Sequence, residues 1–498
     1  MEKLKRSENF DQQFQKALST LRMQIISGEL KSGDYLLSEN KLSEKFGISR
    51  PSIRKVLSIL EQQGLVVTRR GKGTCVTDML NLKTDKTELL RIGVFIPTYE
   101  NCLQDSDLKA FERNHPLVKI QLQKISDDKN YFEIVQSFVR NGDALDIIFI
   151  MDWHFQDFMY EEWVADLTPF LEKSELFGNL ENDYYSPLFD KYKYNGKQLA
   201  IPFGFSPVVM AYNCDIFDRE NMLYPDDNWD WDRFLETAKL LTHDWNEDGI
   251  FEQFGFSLSS HRHRWPCFVY RNKGKFIDPA TNCCTLSSPE TLEAIDFIYD
   301  LLYRHKVAPL CINEKAIDPH LLFARSKIAM TLVSYFSFTF VFAGLPFRWD
   351  IAPCPGKPDS PHLMLSTAFI MNKATPHPEI AWKFIEFFLS KRIQDMVRLR
   401  NSVVPVRKSS SLLRVEPPRE IDPYNYELFL HVLENFEYIS VFPYTKASQP
   451  LWEEMALVWA NLQTPIQACK LIERKINLQI PDKRNILAMG TKRDYAIP

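Results

Sequence analysis

The stretch from Leu36 to Val76, LLSENKLSEKFGISRPSIRKVLSILEQQGLVVTRRGKGTCV, packs so many helix starts and stops together that few small folds accommodate it. Ser38 suits an N-cap for a helix running to Phe46, and Gly47 supplies the turn that ends it. Ser49 caps a second helix. There Pro51 occupies the first turn, where its missing N–H costs nothing, and Ile53, Val56, Leu57 and Leu60 recur at helical spacing. Gly64 stops that helix. Leu65, Val66 and Val67 then lead to Thr68-Arg69-Arg70, and Gly71-Lys72-Gly73 makes a tight turn into a returning strand, Thr74 to Val76. Upstream, Phe10, Phe14, Leu18, Leu21 and Ile25 predict a first helix whose apolar stripe packs beneath the pair.

Two short helices joined by a tight turn and followed by a hairpin describe a winged helix-turn-helix. In that motif the N-terminal residues of the second helix reach base edges. Here they are Ser49, Arg50, Ser52 and Arg54. The two arginines, four apart, share a helix face, and the arginine fork matches guanine O6 and N7. Arg69, Arg70 and Lys72 fall on the wing, against phosphate or minor groove.

The combination Gly28-Glu29-Leu30-Lys31-Ser32-Gly33-Asp34, Leu37-Ser38-Glu39, Phe46-Gly47-Ile48-Ser49-Arg50, Ile53-Arg54 and Gly71-Lys72-Gly73-Thr74 resembles the winged helix of GntR-type bacterial regulators. The resemblance implies DNA contacts from Asn40, Ser49, Arg50, Ser52, Arg54, Arg70 and Gly71, with Ser38 beside them. The sequence departs from that family in two places. Asn40 stands where many relatives carry arginine, and Leu37 replaces the usual proline.

Charge separates this head from the rest. Residues 1–78 carry 14 Lys and Arg against 9 Asp and Glu, whereas the remainder carries 46 against 56. Nucleic-acid contact therefore belongs to the head. At 498 residues the chain is long enough for two or three domains, with the 45% hydrophobic and 25% charged composition of a globular protein. No run is apolar enough to span a membrane, Tyr335 to Phe347 being the nearest, and MEKLKRSENFDQQF has no apolar segment after its basic residues. Nine cysteines at irregular spacing form neither a disulfide framework nor a zinc pattern. A cytoplasmic location is expected.

A polar linker is placed at 79–91, after a winged domain over 1–78, and a larger domain at 92–498. In that domain strand and helix patterns alternate. Ile92–Ile96, Val118–Gln123 and Ala144–Met151 read as strands, and 106–114 and Tyr131–Arg140 as helices, which implies βαβ units and a parallel sheet. Ligands of such sheets bind beyond the carboxyl ends of the strands, a rule that points to Asp152 and Trp153. A strand from Leu199 to Pro202 is expected to end in the loop Phe203-Gly204-Phe205-Ser206-Pro207. Another, within Phe323 to Phe336, is expected to end in Ser334-Tyr335-Phe336.

Pieces such as NGDALDIIFIMDWHFQDF, WVADLTPFL, NGKQLAIPFGFSPVVMAYNCDIFD and HPEIAWKFIEFFLS resemble the family 1 extracellular solute-binding proteins, the sugar receptors of ABC importers. The resemblance covers about 92–410. It implies an α/β type II periplasmic-binding fold, two lobes around a hinge with the ligand between them. Sugars present apolar faces edged with hydroxyls, so aromatic platforms with a few polar groups suit them. The candidates are Asp152, Trp153, Phe205, Ser206, Trp265, Ser334, Tyr335 and Phe336, while Trp229 and Trp231 read as packing at a helix entry.

Asp244-Trp245-Asn246-Glu247-Asp248-Gly249 opens like a calcium loop, with Asp244, Asn246 and Asp248 as ligands and Glu252 at position nine. Position twelve is Gly255 instead of the bidentate glutamate, so a metal-free Asx turn is the favoured reading. The run His261-Arg262-His263-Arg264 reads as a basic surface loop. No GxSxG, HExxH or GxxxxGK[ST] pattern is present, and no cofactor is expected. The chain reads as a dimeric, carbohydrate-responsive regulator that binds operator DNA and is not an enzyme. The alternative is a cytoplasmic solute-binding or transport-related sugar receptor without gene regulation.

Overall fold

The computed structural model describes residues 13–478 apart from 15, 19, 23, 26–28, 63–64, 70–71, 78–86, 96–101, 127–129, 179, 259–263, 279, 282, 311–318, 339–341, 343, 402, 414–422 and 439–444. The chain divides into two compact units, Met1–Glu88 and Leu89–Pro498.

In the first unit, α1 (Glu39–Phe46) and α2 (Arg50–Gln62) precede the hairpin of β1 (Val66–Arg69) and β2 (Gly73–Val76). The Ser38 side chain accepts from the Lys41 N–H, and Gly47 ends α1 at φ 67°, a left-handed conformation that favours glycine. The hairpin is antiparallel from Val66↔Val76 to Arg69↔Gly73. The described residues between 13 and 25 are helical. Their Ala17, Leu18, Leu21 and Ile25 share one core with Leu42, Ile53, Val56, Leu57, Leu60, Val66 and Val76. Phe10 lies outside the described residues.

The second unit opens with β3 (Glu88–Phe95), α3 (Asp105–Asn114), β4 (Val118–Ile125), α4 (Tyr131–Arg140), β5 (Ile147–Met151) and α5 (Asp152–Phe158). The long strand β6 (Ile201–Asn213) follows, then α6 (Trp231–Leu240), β7 (Phe254–Ser257), α7 (Pro266–Arg271), α8 (Pro289–Tyr303) and β8 (Ile328–Ser334). After β9 (Trp349–Ala352) come β10 (His362–Met371), α9 (Pro378–Leu389), α10 (Lys391–Leu399), β11 (Val404–Pro405), β12 (Phe436–Tyr438), α11 (Thr445–Trp459) and α12 (Pro465–Asn477). Strand β3 begins inside the stretch expected to be linker. The sheet order is β4-β3-β5-β10-β6-β8-β7, with β9 and β11 also on β6 and β12 on β10. Strands β3 and β5 are parallel, while β10 runs antiparallel to both β5 and β6.

The expected loop 203–207 is instead part of the first half of β6, a strand of 13 residues that is buried throughout. Its first half pairs with β10, ending at Pro207↔Met364, and its second half pairs with β8 from Val208↔Ser334 onward. Proline stands where one partner gives way to the next, which a strand tolerates. Gly204 is required because a Cβ there would lie 2.2 Å from a Val403 methyl. Glycine, serine and proline imitate a loop here, but they mark the crossover of a strand shared by both halves of the sheet.

Side-chain alternation along the strands separates the cores. Phe203, Phe205, Val209 and Ala211 of β6 face a cluster that runs behind both halves. On the other face, Val208, Met210 and Tyr212 join a cluster under α6, α7, α8 and the tail helices. Ile148, Ile150, Ala368 and Ile370 form a third cluster, under α4 and α5. The second and third clusters meet along a seam.

Candidate functional site

In the head, α1 and α2 bring Glu39, Arg50 and Arg54 together. Arg54 Nε donates to both carboxylate oxygens of Glu39, at 3.1 and 2.9 Å, and Arg50 Nη2 lies 3.9 Å from the same carboxylate. Ser49 and Ser52 share a hydrogen bond of 2.8 Å between hydroxyls, and Ser49 Oγ also accepts the Ser52 N–H at 3.4 Å. Ser38, Asn40, Ser49, Arg50 and Arg54 are exposed, as are Arg69 and Lys72 on the wing, while Ser52 is half-buried. The Lys72 N–H donates to the Arg69 carbonyl at 3.0 Å and closes the wing turn. Arg70 and Gly71 lie outside the described residues. Exposed ion pairs such as those of Glu39 are worth only about 0.2–1 kcal/mol, so both guanidinium groups can exchange the carboxylate for a base or phosphate.

In the body, the seam between the second and third clusters is lined with polar side chains. Ser206, Ser334 and Ser366 are all buried, one each on β6, β8 and β10. Asp152 opens α5 directly after β5, and its Oδ1 accepts the Ser366 N–H at 2.7 Å. Its Oδ2 is buried and has no hydrogen-bond partner among the described residues. Burial raises the Asp152 pKa to about 7, against the opposing pull of Lys191 and Arg264. The Ser206 hydroxyl accepts the Phe336 N–H at 3.1 Å and so fixes the turn that presents that ring. Phe336 packs against all three clusters and Trp153 against the second and third. Those two rings stand at the seam.

Three other expected residues sit elsewhere. Phe205 and Tyr335 follow the opposite phase of the strand alternation and face the cluster behind the sheet. The Tyr335 hydroxyl donates to Asn401 Oδ1 at 2.7 Å and the ring packs on Phe338 and Phe429. Trp265, 3% exposed, is buried in the second cluster among Phe276, Trp452 and Trp459. Trp229 is buried as well, and Trp231 stacks on Phe297 with centroids 4.3 Å apart.

Arg264 was expected on a surface loop, yet it is 5% exposed. Its Nη2 donates to Ser334 Oγ at 2.7 Å. Burial lowers its pKa to about 10. The position just before the buried apolar run of α7 was the available signal. His261 to His263 lie outside the described residues. Lys191, whose Nζ lies 4.7 Å from the centre of the Tyr438 ring, and Tyr192, whose hydroxyl shares a 2.7 Å hydrogen bond with Ser366, carried no sequence signal.

The acidic loop closes on itself. Asp244 Oδ2 accepts the Gly249 N–H, Asn246 Oδ1 that of Asp248, and Asp248 Oδ1 that of Ile250, at 2.9, 3.0 and 2.8 Å. These are Asx turns. Among the described residues no group of three or more His, Cys, Asp or Glu is placed to hold a metal ion. Two surface cavities, of about 670 and 630 Å³, lie around Tyr160 and Tyr194 and around Phe170 and Trp382, and neither is lined by a seam residue. Among the described residues no helix is long and apolar enough to cross a membrane.

A winged helix-turn-helix head and a body folded as a two-lobed ligand receptor define the class. Residues 14–76 match the family of bacterial regulatory proteins, gntR family, and residues 103–395 match the bacterial extracellular solute-binding proteins. The chain belongs to the solute-binding protein family and carries a gntR-family regulator domain ahead of it. A Brucella abortus protein named only as a binding protein is 21% identical over 364 residues, covering 72% of this chain and 83% of that one. An ABC substrate-binding protein of Listeria monocytogenes, solved in complex with cycloalternan, superposes with a TM-score of 0.70 at 25% identity. It covers 80% of this chain and 100% of its own. The transcriptional regulator TreR of Bacillus subtilis is 25% identical over 164 residues, 33% of this chain and 66% of TreR.

Proposed function

We propose that the protein is a cytoplasmic, dimeric transcriptional regulator whose affinity for operator DNA is set by a carbohydrate bound in the seam of its body. One observation carries the reading. A single chain joins an exposed Arg50–Arg54 face on a helix-turn-helix to a receptor body with unsatisfied polar groups and two aromatic rings at the seam between its halves. Arg50 and Arg54 read base edges with Ser49 and Ser52, Arg69, Arg70, Gly71 and Lys72 hold the wing on the backbone, and Ser38 and Asn40 contact phosphate. Dimerisation follows from the two half-sites such heads commonly read.

In the body, Trp153 and Phe336 flank the sugar, Asp152 and Ser334 take its hydroxyls, and Ser206 holds Phe336 in place. Phe205 and Tyr335 support the seam from the cluster behind the sheet, and Trp265 from within the second cluster. Closure of the halves can change DNA affinity only by as much as the sugar prefers one state over the other, typically about 1–3 kcal/mol.

Selection of binding sites from random duplex, followed by titration of the selected DNA with and without a saccharide panel, tests this. The expected result is a two-fold symmetric site, steep salt dependence, and a roughly 5- to 150-fold change in affinity with one saccharide. Failure to retain DNA at low salt, or a saccharide that binds without moving DNA affinity, would overturn it.

A further inference from the structure

At the seam two cations, the buried Arg264 and the half-buried Lys191, act on one buried carboxylate, that of Asp152. Asp152 and Arg264 are 1% and 5% exposed, and each uses only part of its hydrogen-bonding capacity within the chain. Asp152 Oδ1 takes the Ser366 N–H, and Oδ2 takes no donor among the described residues. Arg264 gives Nη2 to Ser334, and its Nε, also buried, has no acceptor among the described residues. Lys191 is the second cation, stacked over the Tyr438 ring, with Asp152 and the exposed Glu437 acting on it. Two cations thus act on one buried carboxylate, while the other carboxylate, Glu437, is exposed.

Burying a guanidinium with an unpaired N–H is costly unless an acceptor completes it, and a guanidinium fork accepts a carboxylate or phosphate in two-point contact. The free carboxylate oxygen of Asp152 calls for the opposite group, a hydroxyl donor. One molecule supplies both. We propose that the ligand of the seam is an anionic saccharide, its carboxylate or phosphate held by Arg264 and Lys191 and one hydroxyl donated to Asp152. This rests on the carbohydrate reading above and narrows it.

Isothermal titration of the full chain decides it, with mono-, di- and trisaccharides each offered as the neutral sugar, its uronate and its phosphate ester. At least one charged member is expected to bind ten times or more tighter than its neutral parent, and the uronate and phosphate arms show which anion fits. Arg264→Gln should abolish that preference and Arg264→Lys should retain part of it, with thermal unfolding checking that each variant is folded. Lys191→Met provides a second variant if Arg264→Gln does not fold, and it too should reduce the preference. Neutral sugars binding as tightly as charged ones, or a preference unchanged in the folded variants, would overturn the anionic assignment and leave the carbohydrate reading standing. Binding by no member of the panel would overturn both.

Discussion

The head and the body handle charge in opposite ways. In the head, Arg50 and Arg54 lie in solvent, loosely held by Glu39, and can be redirected at little cost. In the body, Asp152 and Arg264 are buried, held by short hydrogen bonds to Ser366 and Ser334. The difference fits what each surface would meet in the proposed function. A phosphate backbone brings its own high field and is read at a wet interface, whereas a small solute is recognised by excluding water around a few fixed groups.

The comparison can be broken most forcefully with the aromatic rings. Trp265→Ala removes a core ring and should cost the body about 3–5 kcal/mol, visible as a large loss in its thermal unfolding temperature. Phe336→Ala, at the half-buried seam, should cost less stability and more ligand affinity. Equal stability losses for the two would show that the seam is packed like the core.

The pH dependence of the body is the next largest effect. The Asp152 carboxyl is raised from 3.8 to about 7, so the folded state binds the proton more tightly, and this contribution to stability is lost as pH rises from about 4 to about 7. His362 has the opposite sign. Burial, with Arg271 adding to it, lowers its pKa from 6.5 to about 3, so its contribution is present above pH 6.5 and lost as pH falls towards 3. The two slopes oppose each other between about 4 and 6.5. Asp152→Asn should therefore make stability rise more steeply with pH in urea unfolding, and His362→Phe should make it fall. An unchanged profile in Asp152→Asn would place that carboxyl in water.

In the head, Arg50→Ala or Arg54→Ala should weaken binding to the selected DNA by about 1–3 kcal/mol without moving the unfolding temperature, because both side chains are exposed. Loss of stability in both variants would make them structural instead. The smallest expected effect is that of Ser49→Ala, which removes the hydroxyl bonded to the Ser52 N–H and should cost the head about 1 kcal/mol and the body nothing. A cost spread over both units would show that they unfold together.

Much of the head was legible in sequence because its signals are local. Ser38, Gly47, Ser49 and Pro51 act within one helical turn, and the exposure of Arg50 and Arg54 follows from their place in α2. The body was legible as an alternation of strands and helices, with Tyr131–Arg140 read to the residue. Its seam was legible only in part. Asp152 and Trp153 followed from their position after a strand, but Phe205 and Ser206, or Tyr335 and Phe336, are neighbours in sequence that the structure sends to opposite sides of the sheet or to different packing.

The sequence by itself determined the caps of the head's helices, the basic character of the head and the alternation of strands and helices as far as β5, since each is written in neighbouring residues. Only the tertiary structure decided that 203–207 is a strand and that Arg264 is buried against Ser334. It also decided that Lys191, Tyr192 and Ser366 share a seam with Asp152. Those outcomes depend on contacts between segments far apart in the chain, 70 residues for Arg264 and Ser334 and 214 for Asp152 and Ser366, and on which face of a strand meets which core. No local preference encodes either.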